Sequence, residues 1–465
     1  MGMPGEKLEE KLGEARQPGA SVQDYLDRET RPVPAYLRDN PYQYLGSEDL
    51  PVGRWIDRSF HDLEMKHVWP RVWQLACMID DIPDVGDYVT YDIGNHSFIV
   101  TRQRDGGIKA LYNSCLHRAT QLTQGSGNTQ AFRCPFHGWV YGLDGQLTGL
   151  PCAWDFTHMT SKDRKMPEAR VAVWQGLVFL NLDPDAPDLE TYIGDLHGAF
   201  DRYPLSGKCK SAHVQKTLAC NWKISLEQFI ESYHLLGTHP EGLPYISDAN
   251  AQYNIWPGND HVSRMHALHS VSSPHVAGRY SEQEIMDIIT SISDKAGAGD
   301  IKVLVPDGST ARETLAQKRR DQLTELGIDS AAMTDAEMLD TIHYLIFPNI
   351  VVWTAYGSSI IYWFRPNGDD HSTSVLDILF LAPYDQRGPK PPPTPITRLD
   401  ADASWTESPE LGRLGWVFDQ DVHNAPLVQR GMKASGKGTV SLANYQEIRI
   451  RHLHATLDKY IAGEI

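Results

Sequence analysis

From Gly86 onward the chain alternates apolar and polar residues in short runs, YVTYDI, SFIVTRQ, IKALYNS, AFRCPF and GWVYGL. A period of two is what half-buried strands require. Gly94-Asn95, Asp105-Gly106-Gly107 and Asp144-Gly145 separate the runs and supply the positive φ of tight hairpin turns, so these strands are expected to be antiparallel. Upstream, the apolar spacing from Ile56 to Ile79 is helical. GLVFLNLD, Gly176 to Asp183, predicts another strand, after which the spacing predicts helices over Asp188 to Tyr203 and Trp222 to Leu236. A charged, mostly helical insertion covers 282–342. HYLIFPNIVVWTAY, SSIIYWFRP and STSVLDILFLAPY then return to strand, with Asn367-Gly368 as a turn. The five prolines of GPKPPPTPIT exclude helix and inner strand, leaving a surface connector before C-terminal helices. The expected class is α+β. Residues 1–49 form an N-terminal arm that packs late or on a neighbouring chain, 50–180 an antiparallel all-β domain, and 181–465 a second domain with an antiparallel sheet flanked by helices.

Composition narrows the function classes. With 465 residues, 41% of them hydrophobic and 22% charged, the chain is globular and long enough for more than one domain. A net charge of −17 opposes binding to phosphate backbones and anionic membranes, so neither nucleic acid nor membrane is an expected partner. The most apolar stretch, Ile350 to Phe364, is interrupted by Gly357, Ser358 and Ser359. It is shorter than the roughly 20 apolar residues of a membrane helix. The first residues lack the apolar segment of a secretory signal, and a cytoplasmic location is expected. Six cysteines are too sparse for a disulfide scaffold and must be read by their neighbours.

Two pairs stand out. Cys115-x-His117 is followed, after sixteen residues, by Cys134-x-x-His137, each pair at the end of an expected strand. Two thiolates and two imidazoles suit either tetrahedral zinc or a [2Fe–2S] cluster in which two His replace two Cys on one iron. Zinc sites of this composition group like with like. Here each loop mixes the types, so opposing loops can give one iron both sulfurs and the other both nitrogens, with an exposed nitrogen edge for electron exit. Zinc, and core cysteines beside surface histidines, remain the alternatives. Cys77 lies in an apolar helical run, and Cys152, Cys209 and Cys220 lack paired ligands; all four are expected to be inert buried thiols.

A second constellation lies in CNWKISLEQFIESYHLLGTHP. On one continuous helix His234 and His239 would point about 140° apart, but Gly237 and Pro240 break it and let His239 fold back. Two imidazoles plus one carboxylate make the facial triad that binds iron(II) and leaves positions open for O₂. Glu227 is about 10.5 Å from His234 along a helix axis, too far for the same metal, and reads as a solvated or network carboxylate. Glu231, one turn before His234, is placed to bond the ring nitrogen facing away from a metal.

Together these motifs resemble the Rieske non-haem iron oxygenases, the catalytic alpha subunits of aromatic ring-hydroxylating enzymes. CxH followed by CPxHGW is matched by Pro135, Gly138 and Trp139 besides the four ligand candidates. The family's NWK, then ENFxExYHxxxxHP, is matched by NWK, then EQFIESYHLLGTHP, with Gln228 where Asn is usual and Glu231 where many members have Asp. The resemblance covers about 50–465 and implies a Rieske iron–sulfur domain followed by a catalytic mononuclear iron domain. It implies that Cys115 and Cys134 hold one cluster iron and His117 and His137 the other. It further implies that His234 and His239 hold the mononuclear iron and that Glu231 is the bridging carboxylate. The family's third ligand lies eight residues before a Gln, which selects Asp421 ahead of Gln429, with Asp419 as competitor. His423 reads as surface or pocket wall. Gln228 and Val417 are candidate substrate contacts.

A one-electron cluster beside an open iron site describes an oxygenase. The chain has neither GxGxxG nor GxxxxGK[ST], so electrons from NAD(P)H must arrive through a separate reductase, with or without a ferredoxin. The resemblance implies a homotrimer, with or without a small beta subunit, in which His137 of one chain meets Glu231 and His234 of the next. The expected reaction is dihydroxylation of a hydrophobic aromatic or polycyclic compound. The alternative is monooxygenation, as hydroxylation or O- or N-demethylation, and a further one is a non-enzymatic Rieske electron carrier or zinc protein.

Overall fold

The computed structural model describes residues 15–196, 198–293, 303–354 and 357–465. The chain divides into two compact units, one of residues 62–192 with the hairpin tip 366–370, the other of 1–61, 193–365 and 371–465.

The smaller unit is antiparallel β. Its main sheet runs in spatial order Gln74–Met78, Leu177–Asn181, Glu168–Trp174, Ile108–Tyr112, His96–Arg102, Asp87–Ile93, Ser126–Asn128. A second, three-stranded sheet comprises Ala131–Arg133, Val140–Gly142 and Leu147–Gly149. The expected turns occur with positive φ at Gly94, Gly106 and Gly145. Ile56 to Ile79 is not one helix. A helix occupies Arg58–His67, Pro70 cannot continue it, and Gln74–Met78 is a strand with all five residues buried against Leu177–Asn181. A fully buried strand shows no alternation, so its apolar run mimics a buried helix. Cys77 therefore lies in a strand, and Cys152 is exposed, contrary to the expectation of a buried thiol.

The larger unit is built on an eight-stranded sheet. Its spatial order is Ile246–Ile255, Val262–His269, Thr341–Ile346, Ile350–Trp353, Ser359–Asn367, Asp370–Ala382, Cys209–Leu218, Thr397–Leu399. Pairing is antiparallel from the first strand to the fifth and between the sixth and seventh, while Thr397–Leu399 joins in parallel just after the proline-rich connector. The helix Ile448–Ala462 buries Ile448, Leu453, Leu457 and Tyr460, and Ile448 packs with Tyr253, Ile255 and Met265 of the first two strands. Burying such a side chain contributes about 1.5–3 kcal/mol. Glu282–Ser293, Ala311–Glu325 and Asp335–Leu339 form the helical insertion around a small core that includes Ile285, Met286, Leu315 and Met338. The helix expected over Asp188 to Tyr203 is confined to Leu189–Ile193 and a 3-10 turn, Gly194–Leu196.

The described part of the N-terminal arm packs on its own unit. Val22, Leu26 and Leu37 are buried, and the backbone N–H groups of Arg16 and Gln17 donate to Asn250 Oδ1. The charged segment before residue 15 lies outside the described residues. Among the described residues no helix is long and apolar enough to cross a membrane.

Candidate metal centres

In the smaller unit, Cys115 and Cys134 sit in two loops of matching design. The backbone N–H of Cys115 donates to Thr120 and its carbonyl accepts from Ala119; Cys134 does the same with Trp139 and Gly138. Each loop turns through a left-handed residue four positions after its cysteine, Ala119 at φ 56° and Gly138 at φ 74°. At the second, a Cβ would stand 3.3 Å from the Arg133 guanidinium. Both cysteines are buried. The Tyr141 hydroxyl lies 3.2 Å from Cys115 Sγ and accepts from the Leu116 N–H at 3.0 Å. Burial opposes ionisation of Cys134, but the N–H groups of Phe136 and His137 outweigh it and hold its thiol below the ordinary range.

The histidines form the outer edge. His117 stacks on buried Trp139, with ring centroids 5.0 Å apart and planes 5° from parallel, and His137 is exposed. Their Nδ1 atoms are 3.1 Å apart. Two nitrogens about 2.0–2.1 Å from one tetrahedral ion would stand about 3.3 Å apart, so the pair needs little movement to share one metal. Two buried sulfurs and a two-nitrogen rim fit a cluster with one thiolate-held and one imidazole-held iron.

In the larger unit, Asn221 caps the helix Trp222–Glu227, accepting the Lys223 N–H. The helix ends at Glu227 and does not continue to Leu236. Distant side chains take the backbone groups that a longer helix would have paired. Arg449 donates to the Ile230 carbonyl at 3.1 Å, and the Tyr253 hydroxyl accepts the Ser232 N–H at 3.0 Å. Glu231 is thus off the helix, yet its carboxylate accepts both the His234 N–H at 2.9 Å and Nδ1 at 2.7 Å. One turn, Leu235–Thr238, leads to His239, whose φ of −127° and ψ of 53° end it ahead of Pro240.

The helix Leu414–Ala434 brings the third group. Gly415, Phe418, Asp421, Ala425 and Gln429 face inward along it. Gly415 permits the closest approach, since a Cβ there would meet the Trp405 carbonyl oxygen at 2.9 Å. Gln429 anchors the far end, accepting the Asn221 N–H at 2.8 Å and donating to Ser372 O at 3.0 Å. Asp421 Oδ1 lies 2.6 Å from His239 Nε2 and 3.6 Å from His234 Nε2. One donor atom from each residue falls within 4.8 Å of the others. Two ligands about 2.1 Å from one ion stand roughly 3 Å apart at right angles, so this donor set of two imidazoles and one carboxylate fits a divalent first-row metal. Asp419 faces away and accepts the Trp405 N–H at 2.9 Å, and His423 is exposed.

Burial alone would favour the neutral His234 ring, but Glu231, then Asp421, outweigh it and push His234 up to about 9. His239 is raised as well, its burial overcome by contact with Asp421 and Gln420. Beside Asp421 stands an aromatic group that sequence spacing could not assemble. Tyr362, raised by burial and by the Asp421 charge, packs on Phe229 at 4.7 Å and on Phe418 at 5.9 Å between ring centroids. Gln228 and Val417 are half-buried neighbours in sequence of Phe229 and Phe418, and the buried Nε2 of Gln228 has no hydrogen-bond partner. Glu227 is no solvated group. It accepts from Trp55 Nε1 and His454 Nε2, both at 2.8 Å.

Two family models match this chain. The model of the Rieske [2Fe-2S] domain matches residues 72–160. The chain is 36% identical over 197 residues to the chlorobenzene dioxygenase subunit alpha of Cupriavidus sp. (strain PS12), covering 41% of this chain and 44% of that one. It is 36% identical over 216 residues to the anthranilate 1,2-dioxygenase large subunit of Acinetobacter baylyi, covering 44% of each. The matched segment thus spans less than half the length of these relatives. Among solved structures, a quaternary ammonium Rieske monooxygenase shares the fold at a TM-score of 0.63 and 15% identity, over 90% of this chain and 96% of that one. A naphthalene 1,2-dioxygenase does so at 0.60 and 19%, over 92% and 95%. The model of the ring hydroxylating alpha subunit catalytic domain matches residues 200–463, more than half of the chain, and the chain therefore belongs to the family of Rieske ring-hydroxylating oxygenase catalytic alpha subunits.

Proposed function

We propose that this chain is the terminal oxygenase of a multicomponent system that dihydroxylates a hydrophobic aromatic or polycyclic substrate with O₂ and electrons from a separate reductase, directly or through a ferredoxin. The observation that carries the reading is the convergence of His234, His239 and Asp421 on one point. In this reading those three residues hold iron(II), and Cys115, Cys134, His117 and His137 hold the [2Fe–2S] cluster. Iron in a facial triad supplies open positions for O₂, and the cluster supplies single electrons.

The chain's own residues do the rest. Glu231 takes the Nδ1 hydrogen of His234 and so aims Nε2 at the metal point. Phe229, Tyr362 and Phe418 give the site an apolar aromatic wall, which suits a flat apolar substrate and excludes water. Gln228 and Val417 are assigned as substrate contacts, Gln228 through its buried Nε2. The dioxygenase names of the relatives favour dihydroxylation, and the working assembly is a homotrimer, with or without a small beta subunit.

Anaerobically purified protein is to be examined by low-temperature EPR with iron, zinc and sulfide analysis. A reduced [2Fe–2S] signal with about three irons per chain is expected; zinc without sulfide would overturn the reading. Turnover under labelled O₂ then separates the chemistries. Two labelled oxygens in one product are expected, and a single one reassigns the chain as a monooxygenase.

A further inference from the structure

The two converging histidines are backed by acceptors of different charge. His234 gives its Nδ1 hydrogen to a carboxylate, Glu231, at 2.7 Å. His239 gives its own to a neutral amide, Gln420 Oε1, at 2.8 Å. Gln420 and Asp421 are consecutive on the helix Leu414–Ala434, where neighbours project about 100° apart. They close on opposite edges of one imidazole, Gln420 at Nδ1 and Asp421 at Nε2. One turn further, Asn424 donates Nδ2 to Thr238 Oγ1 at 3.1 Å, so the same helix also holds the residue before His239.

We infer that Gln420 is the positioning residue of His239: it fixes the ring with Nδ1 protonated and leaves Nε2 as the donor toward the metal. The inference rests on the ligand assignment proposed above. An amide oxygen can only accept, so the nitrogen facing it must carry the hydrogen. The backbone at His239 lies outside helical and strand geometry, and without this bond the ring keeps, among the described residues, one hydrogen-bonding side chain, Asp421, beside its edge contact with His234. The amide's neutrality has its own consequence. Asp421 and Glu231 together balance a divalent ion, and a third carboxylate at position 420 would leave an excess negative charge beside it.

The test uses the full-length protein, its mononuclear ion removed by a mild chelator with the cluster intact, titrated anaerobically with Co(II) and followed by the visible ligand-field bands. Gln420→Leu, which keeps the bulk and loses the acceptor, is expected to weaken Co(II) binding by about 10–100-fold, with cluster absorption and circular dichroism unchanged. Gln420→Glu restores the acceptor and is expected to bind Co(II) at least as tightly as the unaltered chain. Binding by Gln420→Leu within about twofold of the unaltered chain, or weaker binding by Gln420→Glu, overturns the inference. Should Gln420→Leu fail to fold, Gln420→Glu decides alone. His239→Ala separates the two levels, because unchanged Co(II) binding by that variant would refute the ligand assignment itself.

Discussion

Replacing Glu227 by Gln should remove a large part of the chain's pH-dependent stability. The Glu227 side chain is 12% exposed, and a single oxygen, Oε1, accepts from both Trp55 and His454. Arg54 fixes the histidine from behind, donating Nε to His454 Nδ1 at 3.0 Å. Burial pushes the carboxyl up to about 8, against the pull of the Trp55 bond and Lys223. The unfolded chain releases this proton near 4.5, so between those values the folded state binds more protons and loses stability as pH rises. Between about pH 5.5 and about pH 8 the loss from this group amounts to about 3 kcal/mol. Gln keeps the accepting oxygen and cannot ionise. Urea unfolding of both proteins at the two pH values, with midpoints converted through the denaturant slope, measures the difference. The unaltered chain should lose about 3 kcal/mol more than Glu227→Gln on going to the higher pH. Equal losses, within about 0.5 kcal/mol, would show that Glu227 ionises as readily in the folded chain as in water.

Asp419→Ala should keep the mononuclear iron and lower stability by about 1–3 kcal/mol, because it strips the cap from Ser404 and Trp405. Asp421→Ala should lose the iron while the cluster persists; metal analysis and thermal unfolding of the two proteins check both, and the reverse pattern would move the ligand to Asp419. Tyr141→Phe removes the hydroxyl beside Cys115 Sγ and should shift the cluster's reduction potential to more negative values, since a sulfur without that hydrogen bond bears more charge. A redox titration showing no shift, or a positive one, would count against a cluster sulfur at Cys115.

The strands Asp87–Ile93, His96–Arg102 and Ile108–Tyr112 were legible because each has one face toward the core and turn residues at its ends. Cys209–Leu218, Ile246–Ile255 and Val262–His269 were not, although they make up three of the eight strands of the larger unit's sheet. Their buried positions include Asp248, Asn250, Asn254 and Arg264, whose polarity hides the strand from a hydropathy pattern. Partners elsewhere in the chain make that burial tolerable: Ser273 for Asp248, the arm for Asn250, and Arg264 for Asn254. The same limit governs the site. Helical periodicity distinguishes Asp421 from Asp419, since Phe418, Asp421, Ala425 and Gln429 share one face and Asp419 does not. The break after Glu227 depends on Arg449 and Tyr253, which no local pattern could connect to it. Tyr362 and Gln420 belong to the site only through the fold, and neither carries a spacing signature of its own.

The way the units divide the chain bears on the order in which they can be built. Residues 62–192 are continuous and hold all four cluster-ligand candidates between Cys115 and His137, so all of this unit but the hairpin tip 366–370 is made early in synthesis. The larger unit is interrupted by it. Its arm waits for partners almost a full chain length away, as when the Glu48 carbonyl accepts from Arg451 across 403 residues. Asp421 follows His239 by 182 residues, so a nascent chain exposes two histidines long before the carboxylate that completes their metal point. Non-local closure of this kind is slow and leaves strand edges unpaired in the interval. A ribosome-bound chain halted before residue 414 should therefore take up iron and sulfide at the first centre while the second stays unformed.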